Sequence, residues 1–324
     1  MSNIDVVVLL LQKTLIYAIP LLMVALAGCF AERSGIINLA LEGEMIFGAF
    51  IGGVYVFYTQ KAGTMADNQQ LMFVIALVIS GIAGALFSLL LSFAAIKLKV
   101  DQTIAGTAMN MLSPALFLTV CMVIFQQEKL TMSPLPSYVI ISEKELPWFL
   151  QVFFNKTYIS TFICIALYIV LAIWLYKSKT GTHMRACGEH PQAADSVGID
   201  VAKMRYLGTT ISGFLAGVGG YAYIACCSSA TAESSVGGMG FLALAIMIFG
   251  NWNPIGIAFG SLLFGFLKCI GPLSNLIPFL SKLKIDIYFY NIIPYVIVII
   301  VLIIFRNKSG CPKAEGIPYD KGMR

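Results

Sequence analysis

The chain is a succession of apolar runs, each about as long as a lipid bilayer is thick. A spanning helix needs about 20 predominantly apolar residues. Val6–Phe30, Ile36–Tyr58, Leu71–Ile96, Ile159–Tyr176, Tyr206–Cys226 and Ile287–Phe305 meet that requirement. Thr103–Phe125 is a further run, interrupted by Asn110 and Pro114, and Phe241–Phe249 and Ile255–Ile270 form a pair divided by Gly250-Asn251-Trp252-Asn253-Pro254. Phe241–Phe249 is too short to span alone, so it is either a half-helix or extends back through the preceding glycines. The pattern predicts an all-α, polytopic integral membrane protein with about 9 transmembrane helices, 8–10 being allowed. Only 11% of the 324 residues are charged, against roughly a quarter in soluble chains. So few charges cannot cover a water-facing surface of this size.

The charges that remain are placed unevenly. Lys177, Lys179, Arg185, Lys203 and Arg205 crowd into one polar island, and Arg306, Lys308, Lys313, Lys321 and Arg324 into the C-terminal end. The loop over 126–158 instead balances Lys129, Lys144 and Lys156 against Glu128, Glu143 and Glu145. The positive-inside rule places 177–205 and the tail 306–324 in the cytoplasm and 126–158 outside. Lys97, Lys99 and Asp101 make another inside turn, and an odd helix count leaves the N-terminus outside. The net charge of +5 is therefore read as topology, with no nucleic-acid partner. No linker divides the chain, so 1–324 reads as a single membrane domain. The eight cysteines form no paired framework in the outer loop, which argues against disulfide stapling.

Several chemistries are disfavoured by the same residues. Leu26-Ala27-Gly28-Cys29 looks like a lipid-attachment box, but no basic n-region precedes it and another apolar run follows. His183, Cys187 and His190 offer imidazole and thiol ligands, yet Pro191 breaks the helix that would align them and the chain has no other histidine. No Gly-x-Ser-x-Gly or His-Glu-x-x-His motif occurs. Glu42 and Glu44, two positions apart, point about 200° apart on a helix and make no acid dyad. No P-loop occurs, so any ATP energy comes from another chain. The chain reads as no enzyme and binds no cofactor or metal of its own.

What remains is transport. Asn38, Glu42, Glu44 and Asn110 lie in or near the apolar runs. A polar group there either lines a route for a polar solute or serves helix–helix hydrogen bonds. Gly213, Gly217, Gly219 and Gly220 allow close helix packing. Glu32-Arg33-Ser34-Gly35 is echoed by Glu233-Ser234-Ser235-Val236-Gly237-Gly238, as paired transport repeats would be, or by coincidence in glycine-rich membrane sequence. Within the polar island, Pro191 starts a short helix that Gly198 ends. Ala193 and Ala194 give it a small face for a partner's groove, and Asp195 favours its dipole. An ordinary surface turn is the plainer alternative.

Gln192-Ala193-Ala194-Asp195-Ser196-Val197-Gly198 resembles the Glu-Ala-Ala-x-x-x-Gly signature of bacterial ABC importer permeases, with Gln in place of the usual Glu. The resemblance extends further. Glu32-Arg33-Ser34-Gly35-Ile36-Ile37-Asn38-Leu39-Ala40-Leu41-Glu42-Gly43 is similar to the first-repeat motif of the branched permease family, which covers ribose, branched-chain amino acid and nucleoside importers. Arg185 to Ala194 is similar to its coupling loop, and Gly240 to Ala245 with Gly250 to Pro254 to its second-half motif. The Glu-Arg-Ser-Gly and Gly-Glu-His-Pro variants are most similar to the nucleoside branch. The resemblance implies a permease subunit in the bacterial plasma membrane that pairs with a second permease. It also implies a cytoplasmic ATPase that uses ATP and Mg, and an outer solute-binding lipoprotein. Gly188, Glu189, Pro191, Ala193, Ala194, Asp195 and Gly198 then belong to ATPase coupling. A sugar or branched-chain amino acid is the alternative solute, and an ion-gradient-driven secondary transporter the alternative of another class.

Overall fold

The computed structural model describes residues 3–134, 147, 151–153, 157–274, 276–277, 280, 282, 286–305 and 310–320. Among the described residues, eleven α-helices account for almost all of the regular structure: α1 (Asn3–Arg33), α2 (Leu41–Lys61), α3 (Gln69–Ile96), α4 (Gln102–Val120), α5 (Ile159–Lys177), α6 (Lys179–Glu189), α7 (Pro191–Ser196), α8 (Val201–Cys226), α9 (Met239–Phe249), α10 (Pro254–Leu273) and α11 (Ile287–Phe305). Two short strands, β1 (Leu130–Thr131) and β2 (Thr231–Ala232), pair antiparallel. Beside them Lys129 meets Glu233 at 2.7 Å. Most of the expected outer loop, 126–158, lies outside the described residues.

The protein is an all-α membrane protein, and among the described residues six helical stretches are long and apolar enough to cross a bilayer. The sequence pattern predicts about nine. The difference lies in α8, which is 26 residues long but diluted by glycine, serine and threonine, and in α9, whose apolar helix is short. The run Phe241–Phe249 is indeed a short helix. At 11 residues, α9 is roughly 16 Å long, about half the thickness of the hydrocarbon.

Helix ends are set locally. Asp101 accepts from the Thr103 and Ile104 amides to start α4, Ser178 from Gly181 to start α6, Asp200 from Lys203 to start α8, and Asn253 from Ile255 to start α10. Each cap satisfies amides that the first helical turn leaves free. Proline is tolerated inside α1 because a neighbour repairs the ladder. Pro20 cannot donate to the Ile16 carbonyl, and the Cys227 thiol approaches that oxygen at 3.5 Å instead.

Helix α8 sits at the centre, packed by α1, α2 and α3. Each contact depends on a glycine. A Cβ at Gly217 would lie 2.1 Å from the Ser80 carbonyl oxygen of α3, one at Gly220 2.2 Å from that of Met45 in α2, and one at Gly219 2.5 Å from Val24 of α1. Lipid is as apolar as leucine, so packing and interhelical hydrogen bonds, rather than exclusion of water, hold these helices together. Gly217→Ala therefore forces backbones apart and should destabilise the protein by about 1–3 kcal/mol. Thermal unfolding in detergent checks this. At Gly53 the atoms nearest an added Cβ are 3.6 Å away, so Gly53→Ala should leave the transition unchanged.

Candidate functional site

The polar island folds as two short helices rather than one loop helix. Helix α6 lies against the end of α1 because Gly188 has no side chain: a Cβ there would sit 2.4 Å from the Arg33 carbonyl oxygen. Glu189 then meets Arg33 at 3.6 Å. His190 turns the chain, and Pro191 starts α7 at the position where its missing N–H costs nothing. Helix α7 ends in a Schellman motif. Ile199 donates to the Ala194 carbonyl at 3.1 Å, Gly198 to that of Asp195 at 3.0 Å, and Gly198 takes φ +85°.

This geometry divides the predicted coupling residues. Pro191 and Ala194 are buried, Asp195 is half-buried, and Gln192, Ala193, Ser196, Val197 and Gly198 are exposed. Ala194 packs inward against Cys187 and Val201, so only Ala193 of the alanine pair presents a small outward face. Val197, 74% exposed, is the outward apolar side chain that the sequence reading passed over. Its helical spacing from Ala193 was the available signal. Cys187 is fully buried, whereas His183 and His190 are exposed, so these three side chains do not share a face as metal ligands would. Burial raises the Cys187 thiol to about 11, which leaves it an inert packing group. Arg205 also departs from expectation. Far from a surface charge, it is 1% exposed, lies against Gly35 and donates to the Ile317 carbonyl at 3.1 Å. Next to α7 a cavity of about 420 Å³ is lined in part by Lys97, Asp195, Ile199, Asp200, Arg205 and Tyr319.

The four polar residues of the apolar runs are engaged within the fold. The Asn38 amide donates to Glu44 at 3.1 Å and to Ser212 at 2.9 Å, and its oxygen accepts from Ala40 at 3.0 Å. Asn110 accepts from the Gly43 amide at 2.8 Å and donates to the Leu39 carbonyl at 2.6 Å, stitching α4 to the start of α2. Glu42 accepts from the amides of Gly238 at 3.0 Å and Gly240 at 2.6 Å. Its carboxylate thus occupies the N-terminal end of the half-helix α9, where unpaired amides and the helix dipole attract negative charge. Close by, Lys268 donates to the Tyr295 hydroxyl at 3.0 Å, and Tyr295 to the Gly237 carbonyl at 2.7 Å. A lysine inside an apolar helix was a signal in the sequence that the reading did not use.

A second polar centre joins the end of α1 to the turn between α9 and α10. Asn251 and Trp252 both take left-handed backbone conformations, which cost roughly 1–2 kcal/mol each for residues other than glycine. The turn is held because the Trp252 carbonyl accepts from Tyr176 at 2.5 Å and from Arg33 at 3.3 Å. The Trp252 indole donates to Glu32 at 2.5 Å. The two glutamates of the internal echo are therefore not equivalent, since Glu32 is buried here while Glu233 is half-buried beside Lys129. For Glu42, removal of the carboxylate strands two amides, one of them buried, at about 1–3 kcal/mol. Glu42→Ala should lower the melting temperature in detergent, whereas Glu42→Gln, which keeps one acceptor, should recover part of the loss.

Comparison with known proteins assigns these features to a family. The family described as branched-chain amino acid transport system / permease component matches residues 10–303. The guanosine ABC transporter permease protein NupQ of Bacillus subtilis (strain 168) is 37% identical over 100% of both chains. The nucleoside ABC transporter permease protein NupC of Lactococcus lactis subsp. cremoris (strain MG1363) is 35% identical over 99% of both. NupB of the same strain, also a nucleoside ABC transporter permease protein, is 26% identical over 78% of this chain and 70% of its own. No solved structure matches. A helical membrane bundle of this composition, matched along nearly its whole length, belongs to the branched-chain amino acid transport system permease family and is a multi-pass ABC transporter permease component.

Proposed function

We propose that this permease carries nucleosides inward across the bacterial plasma membrane. The observation that carries the reading is the end-to-end match to guanosine and nucleoside permeases. The chain does no bond chemistry and binds no cofactor. ATP and Mg are used by a separate cytoplasmic ATPase subunit, and a solute-binding lipoprotein delivers nucleoside at the outer face. Two different nucleoside permeases occur in one Lactococcus strain, which supports pairing with a second, non-identical permease. The basic clusters on α6, α8 and the tail favour a cytoplasmic side for that end, with about nine crossings completing the topology.

On this reading α7 is the contact with the ATPase. Its outward face, Gln192, Ala193, Ser196 and Val197, would lie in the partner's groove, while Pro191, Ala194 and the Gly198 exit fix its shape. Gly188 and Glu189 tie it to α1, so closure of the ATPase would pull on the membrane helices. Such a pull shifts the access equilibrium only if ATP-bound partner favours one state differentially. Asn38, Glu42, Glu44 and Asn110 would shape the solute route through the packing they hold. Lys268 and Tyr295 add a polar pair that a nucleoside hydroxyl or base could meet.

Reconstitution with the ATPase and the second permease tests this. ATP-dependent nucleoside uptake is expected, and uptake driven by membrane potential without ATP would select the secondary-transporter alternative. Ala193→Trp should cut ATP-driven uptake at least about tenfold, as loss of an interface anchor of about 2 kcal/mol does, with unchanged membrane abundance. Unaltered uptake by that variant would remove α7 from the coupling path.

A further inference from the structure

A lysine ammonium is costly in hydrocarbon, and Lys268 lies well inside a bilayer-length helix. Counted from Pro254, it stands about 21 Å along α10, in a layer about 30 Å thick. The groups its ammonium reaches lie deeper. Gly237 sits just before the half-helix α9, roughly 16 Å from the α9–α10 turn. Tyr295 stands about 15 Å before the end of α11, whose chain goes on to Gly310, bonded to Asn251 of that turn. These lengths agree in placing the Lys268 Nζ near the middle of the bilayer, aimed away from both surfaces rather than snorkelling to one.

An ammonium carries three donors, and those of Lys268 are under-used. One reaches the Tyr295 hydroxyl at 3.0 Å. A second points at the Gly237 carbonyl from 3.4 Å, but that oxygen already accepts from Tyr295 at 2.7 Å. Among the described residues no carboxylate pairs with Lys268, and Glu42 close by spends its oxygens on the Gly238 and Gly240 amides. The side chain is half-buried, and so is Tyr295, while Ser235 and Gly237 are exposed. Non-helical backbone at this depth and a free ammonium are each excluded from contact with lipid. Two independent features therefore turn this face toward a wet route. We propose that Lys268 is a specificity-determining residue on that route, held in place by Tyr295, and that it donates to the acceptor edge of a passing nucleobase. The proposal rests on the reading of the chain as a nucleoside importer.

A lysine offers donors only, so it favours a base that presents adjacent acceptors. A 6-oxopurine shows O6 beside N7, whereas a 6-aminopurine sets an amino donor beside N7. Inosine and adenosine differ in this way and share the ribose, which makes them the probes. The reconstituted importer is assayed with the same ATPase, second permease and receptor throughout, so that the receptor's own preference cancels between variant and wild type. Lys268→Met should move the inosine-to-adenosine ratio of kcat/KM roughly tenfold toward adenosine, and Lys268→Arg, which keeps the donors, should hold the wild-type ratio. Lys268→Cys also loses the cation and should shift the ratio alike, which serves if Lys268→Met does not assemble. A second readout needs no transport. In the assembled importer Lys268→Cys should react with a charged methanethiosulfonate reagent faster than wild type, whose native cysteines give the background, and either nucleoside should slow that reaction. An unchanged ratio in the variants that lose the cation, with ATP-driven uptake intact, would overturn the contact with the base. Labelling at the wild-type rate would overturn the wet face. Absence of ATP-driven uptake of both nucleosides by wild type, with Lys268→Cys labelled, would instead overturn the transport reading.

Discussion

Close approach of backbone to backbone along α8 is the constraint on which the rest of the molecule depends. In lipid there is no water to squeeze out between helices, so attraction comes from dispersion and short-range polar contacts that fade within an ångström. Gly217 and Gly220 bring α8 within reach of carbonyl oxygens on α3 and α2, and Gly219 brings it against Val24 of α1. The same closeness lets Ser92 reach Thr209 at 2.5 Å and Asn38 reach Ser212 at 2.9 Å. A helix that is less apolar than its neighbours thereby becomes the core, and the more apolar helices keep large side chains such as Leu90 and Ile169 facing outward.

Broken helices at depth create polar ends that need partners. The fold answers with side chains from a different helix: Glu42 of α2 holds the start of α9, and Asn110 of α4 holds the start of α2. These contacts tie segments far apart in sequence. A rigid inner frame of this kind can rock as a body when pulled at one end, which is what alternating access requires of a permease.

On the proposed coupling, the pull would be applied where charge and backbone polarity concentrate. Helix α7 presents a small outward face, α6 leans on α1 through Gly188, and residues 310–320 cross that end through bonds to Asn251, Gly188 and Gly35. Buried Arg205 between Gly35 and the Ile317 carbonyl makes that segment part of the frame.

Sequence alone determined the membrane class, the helical architecture, the short helix started by Pro191 and ended by Gly198, and the permease family. Each rests on composition, periodicity or contiguous residues. It also marked Asn38, Glu42, Glu44 and Asn110 as unusual, since polarity in an apolar run is visible without coordinates. Only the tertiary structure decided what those residues touch, that Ala194 faces inward while Ala193 faces out, that Arg205 is buried, and that residues 310–320 are bonded across the bundle. The physical reason is the range of the forces involved. Hydropathy and capping act within one helix and leave a local trace, whereas the bonds from Glu42 to Gly240, Glu32 to Trp252 and Ala314 to Gly188 join residues more than a hundred positions apart. Such bonds exist only once the glycines of α8 have let the helices close.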